Sequence, residues 1–202
     1  MNDRKKQVSI FVDGSFSCAV NEEIAATAGL KIGQPLPAKQ IAKLKQTDLF
    51  QSCFGAALYY LGYRPRSESE VRKRLYRRGF NDEVVNKVIT RLKECRHIDD
   101  VAFADYWKEN RLSFKPRSKR LIKLELRQKG VSIETTNEAV CDLDDEHAAY
   151  RAGLKKVSAL PASDYNEFFR RLSSHLRQRG FDYETINSAV ARLWQERQTH
   201  SL

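Results

Sequence analysis

The stretch LYRRGFNDEVVNKVITRL, residues 75–92, occurs in three related copies along the chain. The second copy is LRQKGVSIETTNEAVCDL from Leu126 and the third is LRQRGFDYETINSAVARL from Leu176, so successive copies start 51 and 50 residues apart. A period of this length is typical of stacked supersecondary units, each of which buries an apolar face against its neighbour. We therefore predict three tandem repeats of one helical unit.

Each copy has the pattern of a helix that ends at a glycine and a second helix that begins just beyond it. Apolar residues at i and i+4, such as Val71 and Leu75, mark the buried side of the first helix. The glycine suits the left-handed conformation that ends a helix, and the next apolar residue packs back on the last turn. An N-cap residue and a first-turn glutamate then favour a new helix. These columns are Gly79, Gly130 and Gly180; Phe80, Val131 and Phe181; Asn81, Ser132 and Asp182; and Glu83, Glu134 and Glu184.

A further helix precedes each pair, so the predicted unit has three helices. These first helices are predicted over Phe54 to Tyr63, Val101 to Arg111 and about Glu146 to Val157. The middle helices begin at capping residues: Ser67-x-x-Glu70 and Asp164-x-x-Glu167 form capping boxes, and Ser118 is an N-cap. The connectors RPRS (64–67) and KPRS (115–118) are nearly identical. Their proline prevents continuation of the first helix.

The segment before the repeats has a different pattern. Residues 8–20, VSIFVDGSFSCAV, alternate around Asp13-Gly14 and predict a β-hairpin. A two-residue turn would pair Val12 with Ser15. We prefer a three-residue loop, because that register places six residues on one face. These are Val8, Ile10, Val12, Phe16, Cys18 and Val20.

A short helix over Glu22 to Ala28 follows the hairpin and ends at Gly29, and helix resumes after a connector over residues 31–38. The predicted fold is therefore mainly α: three tandem three-helix repeats in an elongated stack, preceded by a small N-terminal β-hairpin plus helix segment. We place the extension at residues 1–48 and the repeats at 49–98, 99–144 and 145–202.

Composition indicates a folded protein and gives no sign of an enzyme. The chain has 202 residues, of which 41% are hydrophobic and 31% charged, too apolar for general disorder. No run reaches the roughly 18 to 20 apolar residues of a membrane span, and the N-terminus lacks a secretion signal, so we predict a cytoplasmic protein without membrane contact.

The four cysteines form no CxxC pair and are predicted to be reduced. With no GxSxG sequence and no glycine-rich phosphate loop, we predict no catalytic residue, metal or cofactor.

The net charge of +10 is concentrated in the middle of the chain. Residues 1–63 carry 7 basic and 5 acidic side chains, residues 64–129 carry 20 and 10, and residues 130–202 carry 9 and 11. Clustered lysines and arginines contact phosphates and release counterions, so this asymmetry favours a polyanionic partner. A solvated basic face that serves solubility is the alternative.

Positions that differ between the repeats indicate where the binding face lies, because positions shared by all copies most simply serve the fold. Four of the differing positions are all basic in the first repeat, where they are Arg72, Lys73, Arg74 and Arg77. In the other two repeats the same four positions are not all basic. Tyr76 aligns with Arg127 and Arg177 and is predicted near the surface, as a base-stacking or interface aromatic or a half-buried tyrosine. The predicted basic face comprises Arg66, Arg72, Lys73, Arg74, Arg77, Lys115, Arg117, Lys119, Arg120, Lys123 and Arg127.

Three shared features receive structural interpretations. The basic residue before each glycine (Arg78, Lys129, Arg179) suits the negative end of the helix dipole. The recurring asparagines Asn86, Asn137 and Asn187 are mediocre helix formers. We expect them to tie two helices by a side-chain hydrogen bond rather than to bind a partner. The aromatics Tyr59, Tyr60, Phe103 and Trp107 are predicted to lie in the core.

These motifs together resemble the RecX family of regulators of the bacterial recombinase RecA. The resemblance rests on R-x-R-S-E-x-E-V (64–71), a glycine stop and HIDDVAFA (97–104), and it covers roughly residues 50–195. The third repeat departs from it, since His147, Ala148 and Ala149 replace the aromatic-Ala pair of Phe103-Ala104. The docking of its first helix is therefore in doubt.

The resemblance implies a monomeric cytosolic protein that binds RecA and its nucleoprotein filament. It also implies inhibition of RecA ATPase, strand exchange, recombination and SOS activities. Clustered charge without a helix rich in Asn, Gln and Arg at groove-reading positions favours non-specific contact with single- and double-stranded DNA. No catalytic residues come with the family. A DNA-binding module independent of RecA is one alternative, because three-helix units can present a helix to the major groove. A purely protein-binding helical adaptor is another, but it leaves the net charge unexplained.

Overall fold

The computed structural model describes residues 6–157 and 164–199, and within these ranges it contains a two-stranded sheet and ten helices. The predicted mainly α class with an N-terminal hairpin is confirmed. The strands are β1 (Gln7–Val12) and β2 (Ser15–Asn21). The helices are α1 (Glu22–Thr27), α2 (Ala38–Leu61), α3 (Glu68–Tyr76), α4 (Asp82–Glu94), α5 (Asp100–Phe114), α6 (Lys119–Gln128), α7 (Ile133–Ala139), α8 (Asp145–Val157), α9 (Tyr165–Arg177) and α10 (Tyr183–Thr199).

The hairpin closes through a two-residue turn, so the preferred three-residue loop is wrong. Asp13 and Gly14 both have positive φ, +48° and +80°, and Val12 pairs with Ser15. Two central residues with positive φ make the type I′ turn, whose twist matches that of the flanking strands. Asp-Gly is among the dipeptides that favour this turn, and local turn chemistry outweighed the hydrophobic pattern.

A bulge then shifts the register, and the predicted apolar face is only partly correct. Phe11 pairs with Phe16 but Ile10 pairs with Cys18, which leaves Ser17 without a partner on the opposite strand. Beyond this extra residue, Ile10 and Cys18 face the core as predicted. Phe16 instead lies exposed beside Phe11, with ring centroids 5.8 Å apart. The bulge changes which side chains share a face, because side chains alternate along a strand.

The long helix α2 joins two segments that the sequence pattern treats separately. The resumed helix after the connector and the predicted helix over Phe54 to Tyr63 form one continuous helix from Ala38 to Leu61. Cys53 and Ala57 are fully buried on it, and burial raises the pKa of the Cys53 thiol to about 11. Tyr59 points away from this face and is 63% exposed, so its predicted place in the core is wrong. Its aromatic ring favours burial, but its angular position on α2 places it on the exposed side of the helix.

The helix ends within the repeats form as predicted. Gly79, Gly130 and Gly180 have φ of +86°, +80° and +87°. After each glycine the next residue donates its N–H back to the repeated leucine, as in the bond from Val131 N to Leu126 O at 3.1 Å. This is the Schellman pattern that satisfies the terminal carbonyl groups. The N-caps at Asn81, Ser132 and Asp182 accept backbone N–H groups of α4, α7 and α10.

The chain divides into two compact units. The first contains the chain up to Arg64 together with Val71–His97, and the second contains Pro65–Glu70 and the chain from Ile98 onward. In the first unit, β2, α1 and α4 contact α2. In the second, α5 contacts α6 and α7, and α8, α9 and α10 contact one another. The division into residues 1–48, 49–98, 99–144 and 145–202 stays a prediction.

In the second unit, the start of α3 is held by residues of the next repeat. The Ser67 hydroxyl, which is completely buried, donates to the Lys129 carbonyl at 2.5 Å and caps Glu70 N at 3.2 Å. Asp100 Oδ1 accepts the Glu68 N–H at 2.8 Å. Two side chains therefore satisfy N–H groups that the first helical turn leaves without intrahelical partners.

The same joint is built again between the second and third repeats. Ser118 N donates to Arg179 O at 3.0 Å, and Asp145 Oδ1 accepts the Lys119 N–H at 2.6 Å. Burial raises the pKa of Asp145, while this backbone hydrogen bond acts in the opposite direction. The second aspartate of each Asp-Asp pair thus caps the middle helix of the preceding repeat. This explains the HIDD motif as a connection between repeats.

The third repeat packs its first helix through small residues. Ala148, Ala149 and Ala152 of α8 are buried, and a Cβ on Gly153 would lie 2.5 Å from Leu193 Cδ1. Helices approach closely where side chains are small, and α8 packs directly against α10 at this position. The doubt over the docking of this helix is therefore resolved in favour of a packed α8.

No helix in the described ranges is long and apolar enough to cross a bilayer. Nor do the described histidines, cysteines and acids form a group of three or more suited to a metal ion. All four cysteines are free thiols: Cys18 and Cys53 are buried, and Cys95 and Cys141 are exposed.

Candidate functional site: basic side chains on the middle helices

The first unit exposes three basic side chains at the end of α3. Lys73, Arg74 and Arg77, here called the α3 cluster, are all exposed. None of them forms an ion pair with a described residue, although the Arg74 guanidinium lies 5.7 Å from the centroid of the Tyr60 ring. Tyr76 is 41% exposed beside them, as predicted. This cluster therefore presents three positive charges to solvent.

Arg72 differs from its neighbours, because it connects two helices. Its Nη1 donates to Asn86 Oδ1 at 2.7 Å, which joins α3 to α4. The expected role of the recurring asparagine is confirmed in this copy. It is wrong in the other two: Asn137 is exposed and makes no hydrogen bond to a described residue, and Asn187 Oδ1 is buried without such a partner.

The second unit exposes its own basic group on α6. Arg120, Lys123 and Arg127, here called the α6 cluster, project from this helix, and Lys123 is half-buried. No carboxylate of the described residues lies within ion-pair distance of them. Their positive charges are therefore available to a partner, as in the α3 cluster.

The remaining residues of the predicted face have different environments. Lys115 is exposed at the end of α5, and Arg66 is half-buried in the connector. Lys119 Nζ donates to Cys141 O at 2.8 Å. Arg117 pairs with Glu125, whose side chain is mostly buried. Arg117 and Lys119 therefore make contacts within the second unit. The eleven predicted residues are not all solvent-facing cations without a partner.

Glu125 is the centre of a polar network that the repeat comparison missed. Its Oε2 accepts hydrogen bonds from Trp107 Nε1 and Arg111 Nε, both at 2.7 Å. Arg111 also lies 4.1 Å from the centroid of the Trp107 ring. Burial lowers the pKa of Arg111 and of Arg117, so the Glu125 carboxylate compensates charges that are partly removed from water.

Glu125 occupies the column that Arg74 holds in the first repeat, so comparison of the repeats marks it only as the loss of a basic residue. The i,i+4 spacing of Trp107 and Arg111 was the available signal, since it places both on one side of α5. Lys129 adds to this region: its Nζ lies 3.1 Å from Glu70 Oε1 and 4.1 Å from the Trp107 ring centroid. Its role therefore extends beyond the helix dipole.

Comparison with known proteins relates this arrangement to one family. The family model for the first three-helix domain of RecX matches residues 53–92, and the model for the second matches residues 99–140. A regulatory protein RecX from Prosthecochloris aestuarii is 37% identical over 120 residues, which cover 59% of this chain and 79% of that protein. A regulatory protein RecX from Lactobacillus johnsonii is 30% identical over 157 residues, which cover 78% of this chain. The match spans 58% of that longer relative.

A solved structure agrees with the fold along nearly the whole chain. A crystal structure of regulatory protein RecX superposes with a TM-score of 0.64 and covers 96% of this chain and 95% of its own. Its sequence identity is 24%, so it supports the fold alone. The two domain matches and the Prosthecochloris relative, together with the three-helix repeats, show that this chain belongs to the RecX family of regulatory proteins.

Proposed function

We propose that this chain is a cytoplasmic regulator that binds RecA and its DNA filament and inhibits RecA ATPase, strand exchange and the recombination and SOS activities that depend on them. The observation that carries this proposal is membership of the RecX family. The chemistry of the surface supports it, because the described residues include two clusters of exposed or half-buried cations.

The α3 cluster supports contact with the phosphates of DNA in the filament, and the α6 cluster offers similar positive charge to an acidic surface of the filament. Each cluster contains three cations without an ion pair among the described residues. Lysines and arginines that neutralise phosphates release counterions, so such contacts weaken steeply as salt increases. Neither α3 nor α6 is rich in the Asn and Gln side chains typical of base readout, which favours non-specific contact with single- and double-stranded DNA.

The DNA-dependent ATPase activity of RecA tests this function directly. RecA is assayed on single-stranded DNA with increasing amounts of the protein, and the rate is expected to fall. An unchanged rate at micromolar excess would contradict the proposal. The same titration with DNA added before or after the protein separates an effect on filament assembly from one on the assembled filament.

Charge reversal of the α3 cluster tests which surface acts. The triple variant Lys73→Glu, Arg74→Glu and Arg77→Glu is expected to lose inhibition while remaining folded, since all three side chains are exposed. Arg72 is left unchanged, because its bond to Asn86 joins two helices.

A matched control changes the same amount of charge in the third repeat. Arg151, Arg170 and Arg177 are also exposed, and their triple change to glutamate should leave most of the inhibition intact. Equal loss of activity in the two triple variants would refute a specific role for the α3 cluster and would indicate an effect of net charge.

A RecA-independent DNA-binding module is the second candidate, favoured by the same unpaired cations. It predicts tight binding to DNA alone, with an affinity that decreases steeply with salt. Competition between duplexes of different sequence would reveal base preference, and retention of DNA binding with no effect on RecA would support this candidate over the first.

A further inference from the structure

A groove of about 330 Å³ lies between α6 and α7 in the second unit. Leu124 and Ile133 line it and remain 51% and 54% exposed. The three cations of the α6 cluster line it as well. The groove thus combines exposed apolar side chains with positive charge that no described carboxylate neutralises.

The corresponding place in the first repeat is bridged by a side-chain contact. Arg72 and Asn86 occupy the columns of Lys123 and Asn137, and their hydrogen bond of 2.7 Å connects α3 to α4. Lys123 and Asn137 make no hydrogen bond to any described residue, and both line the groove. The second repeat therefore lacks the hydrogen bond that the first repeat forms between these two positions.

The floor of the groove carries a polar atom that the fold does not use. Thr136 is only 1% exposed, lines the groove, and its Oγ1 is buried without a hydrogen-bond partner among the described residues. The same column holds Val85 in the first repeat, where a side chain of similar shape is buried without a hydroxyl. A buried hydroxyl without a hydrogen-bond partner destabilises the folded state. Packing alone therefore favours valine, and the fold provides no use for the threonine hydroxyl beside the groove among the described residues.

We propose that this groove binds an acidic segment of a protein partner through an apolar anchor side chain. This rests on the proposed function, in which a protein is regulated by direct contact. Carboxylates of the segment meet the α6 cluster, and the anchor packs between Leu124 and Ile133. Phosphate contacts alone would need no exposed leucine and isoleucine at this place. An amphipathic helix laid in a groove is a common form of such recognition.

A synthetic amphipathic peptide with a leucine face and a glutamate face is the probe. Its binding to the full chain is measured by fluorescence anisotropy at low and moderate salt. Leu124→Ser is expected to weaken binding by about tenfold or more, as loss of a central anchor does. The double variant Arg120→Glu and Arg127→Glu is expected to abolish binding at low salt.

The chain provides matched controls for both changes. Leu154 of α8 is also 51% exposed, so Leu154→Ser removes an equally exposed leucine outside the groove. Arg170 and Arg177 are exposed and hold the same columns of the third repeat as Arg120 and Arg127. Both control variants should bind the peptide like the unchanged protein. A peptide with lysines in place of the glutamates should not bind.

Three outcomes would overturn this inference: no peptide binding, equal weakening by the groove and control variants, or loss of single-stranded DNA binding in Leu124→Ser with peptide binding unchanged. The last would make the groove a nucleic-acid contact. Retention of RecA on the immobilised protein is measured in parallel. If the peptide binds but RecA is not retained, the groove inference holds and the proposed function is contradicted. If RecA is retained equally by the unchanged protein and by Leu124→Ser, and the peptide does not bind, the proposed function holds and the groove inference is contradicted.

Discussion

Replacing Gly130 by alanine should destabilise the second unit through two separable effects. The glycine has φ of +80°, a conformation that costs an L-residue about 1–2 kcal/mol. An added Cβ would also lie 2.3 Å from Ser69 Cβ and 2.5 Å from its Oγ. Such overlap typically costs about 1–3 kcal/mol. We therefore expect Gly130→Ala to lower the free energy of unfolding by about 2–5 kcal/mol.

Changes at Ser69 separate the two effects. Ser69→Gly removes the Cβ that the alanine would meet, so in that background Gly130→Ala should cost only the backbone strain of about 1–2 kcal/mol. Ser69→Ala keeps this Cβ and should give little relief. The coupling energy from the double-mutant cycle is then about 1–3 kcal/mol for Ser69→Gly and much smaller for Ser69→Ala.

Urea denaturation followed by tryptophan fluorescence suits this cycle, because both tryptophans of the chain, Trp107 and Trp194, lie in the second unit. Gly79→Ala, followed by far-UV circular dichroism, is a reference without overlap: its φ is +86° and no atom lies within 4 Å of the added Cβ. If Gly130→Ala costs the same in all three Ser69 backgrounds, the close approach between the start of α3 and the turn after α6 is refuted.

Three further changes test the polar contacts of the second unit. Glu125→Ala should lower the free energy of unfolding by about 2–3 kcal/mol, because Arg111 and Arg117 lose the carboxylate that compensates their partial burial; a loss below 0.5 kcal/mol (roughly the value for an exposed pair) in urea denaturation would contradict this. Asp145→Ala should cost about 1 kcal/mol in the same assay, since a backbone N–H at the start of α6 loses its acceptor. Burial and two neighbouring cations lower the pKa of His175, so the unfolded chain takes up the proton first as pH falls below about 6.5. The melting temperature should therefore decrease more between pH 7.5 and 5.5 in the unchanged protein than in His175→Gln, and parallel decreases would argue against this titration.

The sequence was most informative where a contact is local. The glycine stops, the N-caps at Asn81 and Ser132, and the box between Ser67 and Glu70 all depend on residues a few positions apart, and all were found as predicted. The hairpin shows the boundary of such reasoning. Its existence followed from the pattern, but the turn type and the bulge at Ser17 decided which side chains share a face, and they leave both Phe11 and Phe16 exposed.

The candidate site shows the same division more sharply. The sequence identified the basic columns of the middle helices, yet it did not distinguish Arg77, which is exposed, from Arg117, which pairs with Glu125. It also treated Asn86 and Asn137 as one column, although only the first makes the bond between helices. Each difference depends on which side chain of another helix lies opposite.

Repetition within the chain was therefore sufficient for the three-helix unit and for the helix stop at each glycine, and the count of charged residues was sufficient for the position of the excess positive charge. These properties arise from backbone preferences and helical periodicity, which act over a few residues. Tertiary packing decided which cations remain without a counter-ion, which aspartate caps a helix of the preceding repeat, and where a groove is left open. Those outcomes depend on atoms brought together from up to 62 positions apart, and the energy of a charge depends on the burial and partners found there.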